Sequence, residues 1–216
     1  MDVVDYVIIP LSVNMSVYWS IIYINNKYRL NENINWLLYI KNMPSILTTQ
    51  LIITPVFLYN MIPLWKWRGI NNTYTFGLTI YDLLQIIVCS CIADFIFYHI
   101  HKLGHASYIY KCIHYKHHEW NVPYAIAAAH CHPIEYTLCL MPSLLIPPFI
   151  LGVSLYVMVW WFAMATIYLV NSQSGYLRNS NIRRENEQDD EYATRLIGPI
   201  QLMDNLYGVE NKDKTD

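Results

Sequence analysis

The stretch His99–Trp120, HIHKLGHASYIYKCIHYKHHEW, holds six of the chain's eight histidines, and the other two follow at His130 and His132. It begins where an apolar run ends, so a dense set of imidazoles stands at the edge of a greasy segment. If that segment continues as one helix, Asp94, Tyr98, His101 and His105 recur at i, i+4, i+7 and i+11 and share a face. His114, His117 and His118 fall at i, i+3 and i+4, so a second helix presents three imidazoles on one stripe. Two facing stripes bring five nitrogen donors to one locus.

Neutral imidazole suits borderline cations such as Fe(II) and Zn(II), and a site built of histidine without thiolate leaves iron free for redox work. Asp94, one to two turns before His101, is placed to accept a ring N–H and fix a ligand's tautomer; the alternative is a helix-end carboxylate reaching water. The alternative for the histidines is a set of interfacial polar residues without metal. His99 points about 200° away from His101 on a helix and reads as an interfacial or core residue.

Outward from this stretch the chain is unlike a soluble domain. Of its 216 residues 55% are hydrophobic and only 14% charged, which points to a bilayer. A hydrocarbon core of about 30 Å needs roughly 20 apolar residues per helix. Runs of that length lie at Tyr6–Ile24, Ser45–Trp65 and Gly77–Tyr98, the last interrupted by Asp82 and Asp94. Ile134–Val170 is too long to cross once, and Pro142, Pro147, Pro148 and Gly152 suit a hairpin within it. Four to five transmembrane segments are therefore expected. Asp2 and Asp5 stand where a signal peptide carries positive charge, so the first run is expected to remain as an anchor.

Lysine and arginine orient the spans. With His99 at the cytoplasmic end of the third run, Lys102, Lys111, Lys116, Arg178, Arg183, Arg184, Lys27, Arg29 and Lys41 share that side. Lys66 and Arg68 fall opposite, with the glycosylation sequon Asn71-Asn72-Thr73. The five cysteines (Cys89, Cys91, Cys112, Cys131 and Cys139) form no CxxC pair and read as reduced packing residues. Basic residues form no stripe that would track a phosphate backbone, so nucleic acid is excluded as a partner.

The run from Asp94 to Glu135 resembles the fatty acid hydroxylase superfamily, which includes sterol desaturases and C-4 methylsterol oxidases. DFIFYHIHKLGH is similar to that family's first histidine box, and YKCIHYKHHEWNVPYAIAAAHCHPIE to its second box and the His-Pro-x-Glu segment after it. The resemblance implies di-iron ligands at His101, His105, His114, His117 and His118, and makes His132, rather than His130, a further site residue. It implies iron and O2 as reactants, a lipid or sterol substrate, and electrons from a reductase or cytochrome. It also implies an integral membrane protein of the endoplasmic reticulum type, with its histidine cluster facing the cytoplasm. Residues 1–76 then read as N-terminal anchor helices, 77–178 as the hydroxylase-like core and 179–216 as a polar tail.

The family's third box, HxxHH, has no counterpart. Gln173-Ser174-Gly175-Tyr176 keeps the family's Ser-Gly-Tyr with glutamine in the ligand position, and Asn181, Arg184 and Glu185 stand where histidines are expected. No histidine follows His132, so the set suits one full metal site better than two. Glu185, Glu187, Asp189, Asp190 and Glu191 could supply oxygen ligands to iron, but they read as a solvated acidic tail.

The expected architecture is an all-α, multi-span membrane helical bundle with a cytoplasmic histidine-rich metal site. Its expected function is iron-dependent hydroxylation or desaturation of a lipid or sterol. The alternative is a degenerate, non-catalytic relative that binds lipid or pairs with an active homologue. A transporter would place its ligands near the bilayer midplane, and an HExxH protease needs a second histidine that does not follow His118-Glu119.

Overall fold

Prolines shape three of the spans. In the computed structural model, which describes residues 2–28, 36–70, 77–119 and 125–174, three turns are wound as π-helix: Val4–Ile8, Thr49–Ile53 and Tyr136–Leu140. Each ends two residues before a proline, at Pro10, Pro55 and Pro142. Proline has no N–H and its ring crowds the carbonyl four residues back, so widening the preceding turn absorbs both defects and the helix runs on. Thr54 uses the widened turn. Its hydroxyl donates to the Thr49 carbonyl (2.8 Å) and pairs with the Tyr136 hydroxyl (2.8 Å), tying two π-turns together.

The elements are α1 (Ile9–Tyr28), α2 (Trp36–Thr48), α3 (Thr54–Arg68), α4 (Ile80–Gly104), α5 (Ser107–Cys112), α6 (Pro133–Glu135), α7 (Met141–Leu151) and α8 (Leu155–Gln173). Two 3-10 helices, His114–Glu119 and Ala125–Ala129, stand between α5 and α6, and no strand occurs among the described residues. With the π-turns bridging them, five helices are long and apolar enough to cross a bilayer: Val4–Lys27, Tyr39–Arg68, Ile80–Gly104, Pro133–Leu151 and Leu155–Gln173. Their outward faces carry exposed Leu51, Ile52, Tyr59, Leu84, Ile87 and Ile150, as a lipid-facing bundle requires.

The expected hairpin in residues 134–170 is present, but only Gly152 breaks it. Pro147 and Pro148 lie inside α7, whereas Gly152 ends it in the left-handed conformation at φ 62°. Asp82 does not interrupt the third span either. It closes a capping box with Thr79 at the start of α4, accepting from the Thr79 backbone N–H at 2.8 Å.

Two apolar clusters hold the bundle. The larger joins α3, α4, α7 and α8 through buried Leu58, Trp65, Cys89, Leu145, Met158 and Trp161. The smaller lies at the histidine end, where Tyr18, Ile22, Ile46 and Val170 pack on the wholly buried Ala125–Ala129 turn. The Tyr18 hydroxyl donates to the Ile126 carbonyl (2.9 Å) and Lys116 Nζ to Ser45 Oγ (2.8 Å), which fixes the histidine segment onto α1 and α2.

The opposite end explains its two basic residues. Lys66 pairs with Asp2, and Arg68 Nη2 donates to the Ile150 carbonyl at 3.0 Å, satisfying one of the last carbonyls of α7. The sequon at 71–73 and the tail 179–216, with its remnants of a third box, lie outside the described residues.

A Cβ on Gly152 would meet the Arg68 guanidinium at 2.9 Å, and the backbone there is left-handed. Gly152→Ala is expected to destabilise the protein by about 1–2 kcal/mol. The check is a thermal midpoint in detergent that falls further for Gly152→Ala than for Gly69→Ala, which shares the left-handed backbone but whose Cβ meets nothing within 4 Å.

Candidate metal centre

At 25 residues, about 37 Å of helix, α4 is longer than a bilayer core of about 30 Å. Its final turns therefore extend past the apolar zone, carrying His101 in the last turn and His105 as the C-cap. The chain reverses at Ala106, whose backbone is extended, and α5 returns it to the 3-10 helix His114–Glu119. His114 then reaches the α4 terminus over Gly104. A Cβ at Gly104 would lie 3.2 Å from His114 Cγ, so the LGH glycine gives the imidazole its approach.

Four imidazoles converge. The Nε2 atoms of His101 and His105 are 3.2 Å apart, those of His105 and His114 3.2 Å, and those of His114 and His118 2.9 Å. The ligand nitrogens of all four lie within 4.8 Å of one another. His101 and His114 are buried, and the Tyr110 ring lies against His114 and His118 with centroids 5.9 and 5.8 Å away.

The second stripe differs from the expected one because it is 3-10 rather than α. At three residues per turn His114 and His117 eclipse, which is why their rings stack at 28°, while His118 rotates toward His105. His117 thus stands one turn along from the cluster, and its Nδ1 donates to the His130 carbonyl at 3.3 Å. Its Nε2 is left with a lone pair.

Other nominated residues are placed elsewhere. His132 is half-buried and outside the four; its Nδ1 accepts from the Ile134 N–H at 3.2 Å, capping α6. His130, set aside from the sequence, is fully buried with Nε2 3.2 Å from Glu119 Oε2. His99 stays apart from the cluster and packs edge-on against Phe95 and Tyr98. Asp94 is fully buried in α4.

A carboxylate that meets a cluster histidine is Glu135, whose Oε1 lies 2.6 Å from His114 Nδ1. Spacing could not reveal a partner 21 residues away; the only indication was the glutamate of His-Pro-x-Glu. This contact fixes the tautomer. Nδ1 of His114 carries the proton, so its Nε2 presents a lone pair to the cluster.

The donor set fits a cation. Each neutral Nε2 has either one hydrogen or one lone pair, so the chain of three Nε2 contacts cannot be satisfied as ordinary hydrogen bonds. A cation between the four would use every lone pair. Glu135 Oε2 is in addition buried without a hydrogen-bond partner among the described residues. Burial depresses the basicity of His117 and His118, and neighbouring histidines add to this at His118, whose pKa falls to about 3. Both are therefore neutral near pH 7, the state that ligates metal.

A cavity of about 120 Å³ opens from this centre into the bundle, lined by His101 and His117 at one end and by Ala93, Leu144, Trp161 and Ala165 further in. Gln173, the glutamine in a ligand position, lines the same cavity.

Residues 86–190 match the profile of the family described as fatty acid hydroxylase. The chain is 30% identical over 199 residues to fatty acid hydroxylase domain-containing protein 2 of Homo sapiens, covering 88% of this chain and 58% of the relative. It is 25% identical over 135 residues to methylsterol monooxygenase 2-2 of Arabidopsis thaliana, covering 62% of this chain and 46% of the relative. Identity is 27% over 114 residues with a very-long-chain aldehyde decarbonylase of Oryza sativa subsp. indica, covering 53% and 42%. The chain thus spans less than two thirds of the length of these relatives. No solved structure is significantly similar to it.

Replacing Glu135 with glutamine keeps the shape but removes the anionic acceptor on His114. Glu135→Gln is expected to weaken metal binding by roughly 10–100-fold, read as the midpoint of a Co(II) titration on the purified chain. An unchanged midpoint would separate Glu135 from the centre.

Proposed function

Because the chain belongs to the fatty acid hydroxylase superfamily, we propose that it is a membrane-embedded, iron-dependent oxygenase acting on a lipid or sterol. One observation carries this reading: a cluster of four imidazoles stands at the end of a mainly apolar cavity that runs into the bundle, with His101 of the cluster and the adjacent His117 lining it. A surface metal site needs no such cavity, and a structural one needs no route for a substrate.

His101, His105, His114 and His118 would hold one iron ion, with His117 facing the cavity as a fifth nitrogen. Bound iron supplies the redox chemistry with dioxygen that no side chain can provide. The remaining work is done by residues of the chain. Glu135 keeps the proton on Nδ1 of His114, and the His130 carbonyl does the same for His117, so both rings face inward in one tautomer. Phe97 stacks on His101 at 17° and limits its rotation. Ala93, Ala128, Ala129 and Ala165 leave the cavity wide beside the histidines, while Leu144 and Trp161 exclude water from it.

Lys102, Lys111 and Lys116 near the histidine end support a cytoplasmic orientation for it, in a membrane of the endoplasmic reticulum type. A reductase or cytochrome would deliver electrons there. The second reading, a non-catalytic relative, draws on the absence of any histidine after His132.

The test is incorporation of 18O from labelled dioxygen into the lipids of membranes that contain the chain together with an NADPH-linked reductase system. Labelled hydroxylated product, lost at least 100-fold in His105→Ala, is the expected result. Stoichiometric iron without any labelled or desaturated product would favour the non-catalytic relative.

A further inference from the structure

We propose that the Asn14–Thr166 wall of the cavity is a recognition site for an uncharged hydroxyl group, so that the bound lipid is a neutral alcohol rather than a carboxylate or phosphate. The inference rests on the cavity being the substrate's seat.

No Asp, Glu, Lys or Arg lines the cavity among the described residues, so an ionised head group would enter it without a partner. Burying such a charge in the membrane interior costs several kcal/mol, which excludes that class of ligand. The lining is nevertheless not wholly apolar. Most of its polar groups are already used: the Tyr136 hydroxyl on Thr54, the Tyr18 hydroxyl on the Ile126 carbonyl, and the Ser143 hydroxyl on the Cys139 carbonyl.

Asn14 and Thr166 differ. Asn14 Nδ2 donates to Thr166 Oγ1, pinning α1 to α8, and this spends one donor and one acceptor. Among the described residues the Thr166 hydroxyl hydrogen and Asn14 Oδ1 have no further hydrogen bond, although Thr166 is only 6% exposed. Gln50, 4% exposed, also lines the cavity, its Oε1 accepting from Trp19 Nε1 at 3.1 Å. Buried polar groups inside a membrane bundle are costly unless they find partners. A ligand hydroxyl completes the pair, donating to Asn14 Oδ1 and accepting from Thr166. Ether or ester oxygens offer no donor, and an alkyl chain offers neither.

A long-chain alcohol and a sterol both present this chemistry.

The experiment is equilibrium binding of a tritiated long-chain primary alcohol and a tritiated sterol to the full chain in nanodiscs, without added metal. Each is compared with its deoxy analogue and with an ionised fatty acid of the same length. At least one hydroxyl lipid is expected to bind saturably, about tenfold tighter than its deoxy analogue and than the fatty acid, and which one does so identifies the source. Thr166→Val is expected to remove that tenfold preference while leaving the deoxy analogue unaffected, and Thr166→Ser to retain it. Failure of both hydroxyl lipids to bind saturably, equal binding of the fatty acid, or an equal loss for hydroxyl and deoxy ligands in Thr166→Val would overturn the proposal. Metal and turnover do not enter this readout, so its failure is distinct from failure of the oxygenase reading.

Discussion

Four Nε2 atoms held within a few ångströms of one another are an electrostatic problem that the protein must solve. Each nitrogen can donate or accept only once, so their contacts cannot all be met as hydrogen bonds, and burial keeps His118 neutral near pH 7. A cation is the simple solution. The surrounding structure acts to hold the rings there: α4 overruns the bilayer to carry His101 and His105 outward, Gly104 lets His114 approach, and Glu135 fixes its tautomer. The buried alanine turn Ala125–Ala129 then clamps the returning segment onto α1 and α8.

The bundle beneath contributes space more than chemistry. Pro10, Pro55 and Pro142 are accommodated by π-turns, so long spans survive sequences that would ordinarily kink or end them. The resulting helices pack closely at one end, around Trp65 and Trp161, and leave a cavity toward the other, where Ala93, Ala129 and Ala165 replace larger residues. In the proposed oxygenase, a histidine cluster at the end of an apolar cavity suits a lipid better than a soluble substrate.

Much of this could be read from residue order. Helical spacing grouped His101 with His105 because a single helix does carry both to its end, and the apolar runs located the spans to within a few residues. The reading went astray where the local winding departed from α. The 3-10 turn at His114–Glu119 separates His117 from His118, which α-helical spacing had placed together. Proline alone could not distinguish a break from a π-turn; Gly152 could, since the left-handed backbone suits glycine. Glu135 and the Asn14–Thr166 pair were not legible, because contacts between residues 21 and 152 positions apart leave no local pattern.

The direct measurement of the central claim is metal content of the purified chain combined with X-ray absorption at the iron edge. One iron per chain with a first shell of at least four imidazole nitrogens at about 2.0–2.2 Å, lost together when His101 and His114 are replaced by alanine, is the predicted result. Iron-free protein after loading, or two irons per chain with an oxygen-dominated shell, would contradict it.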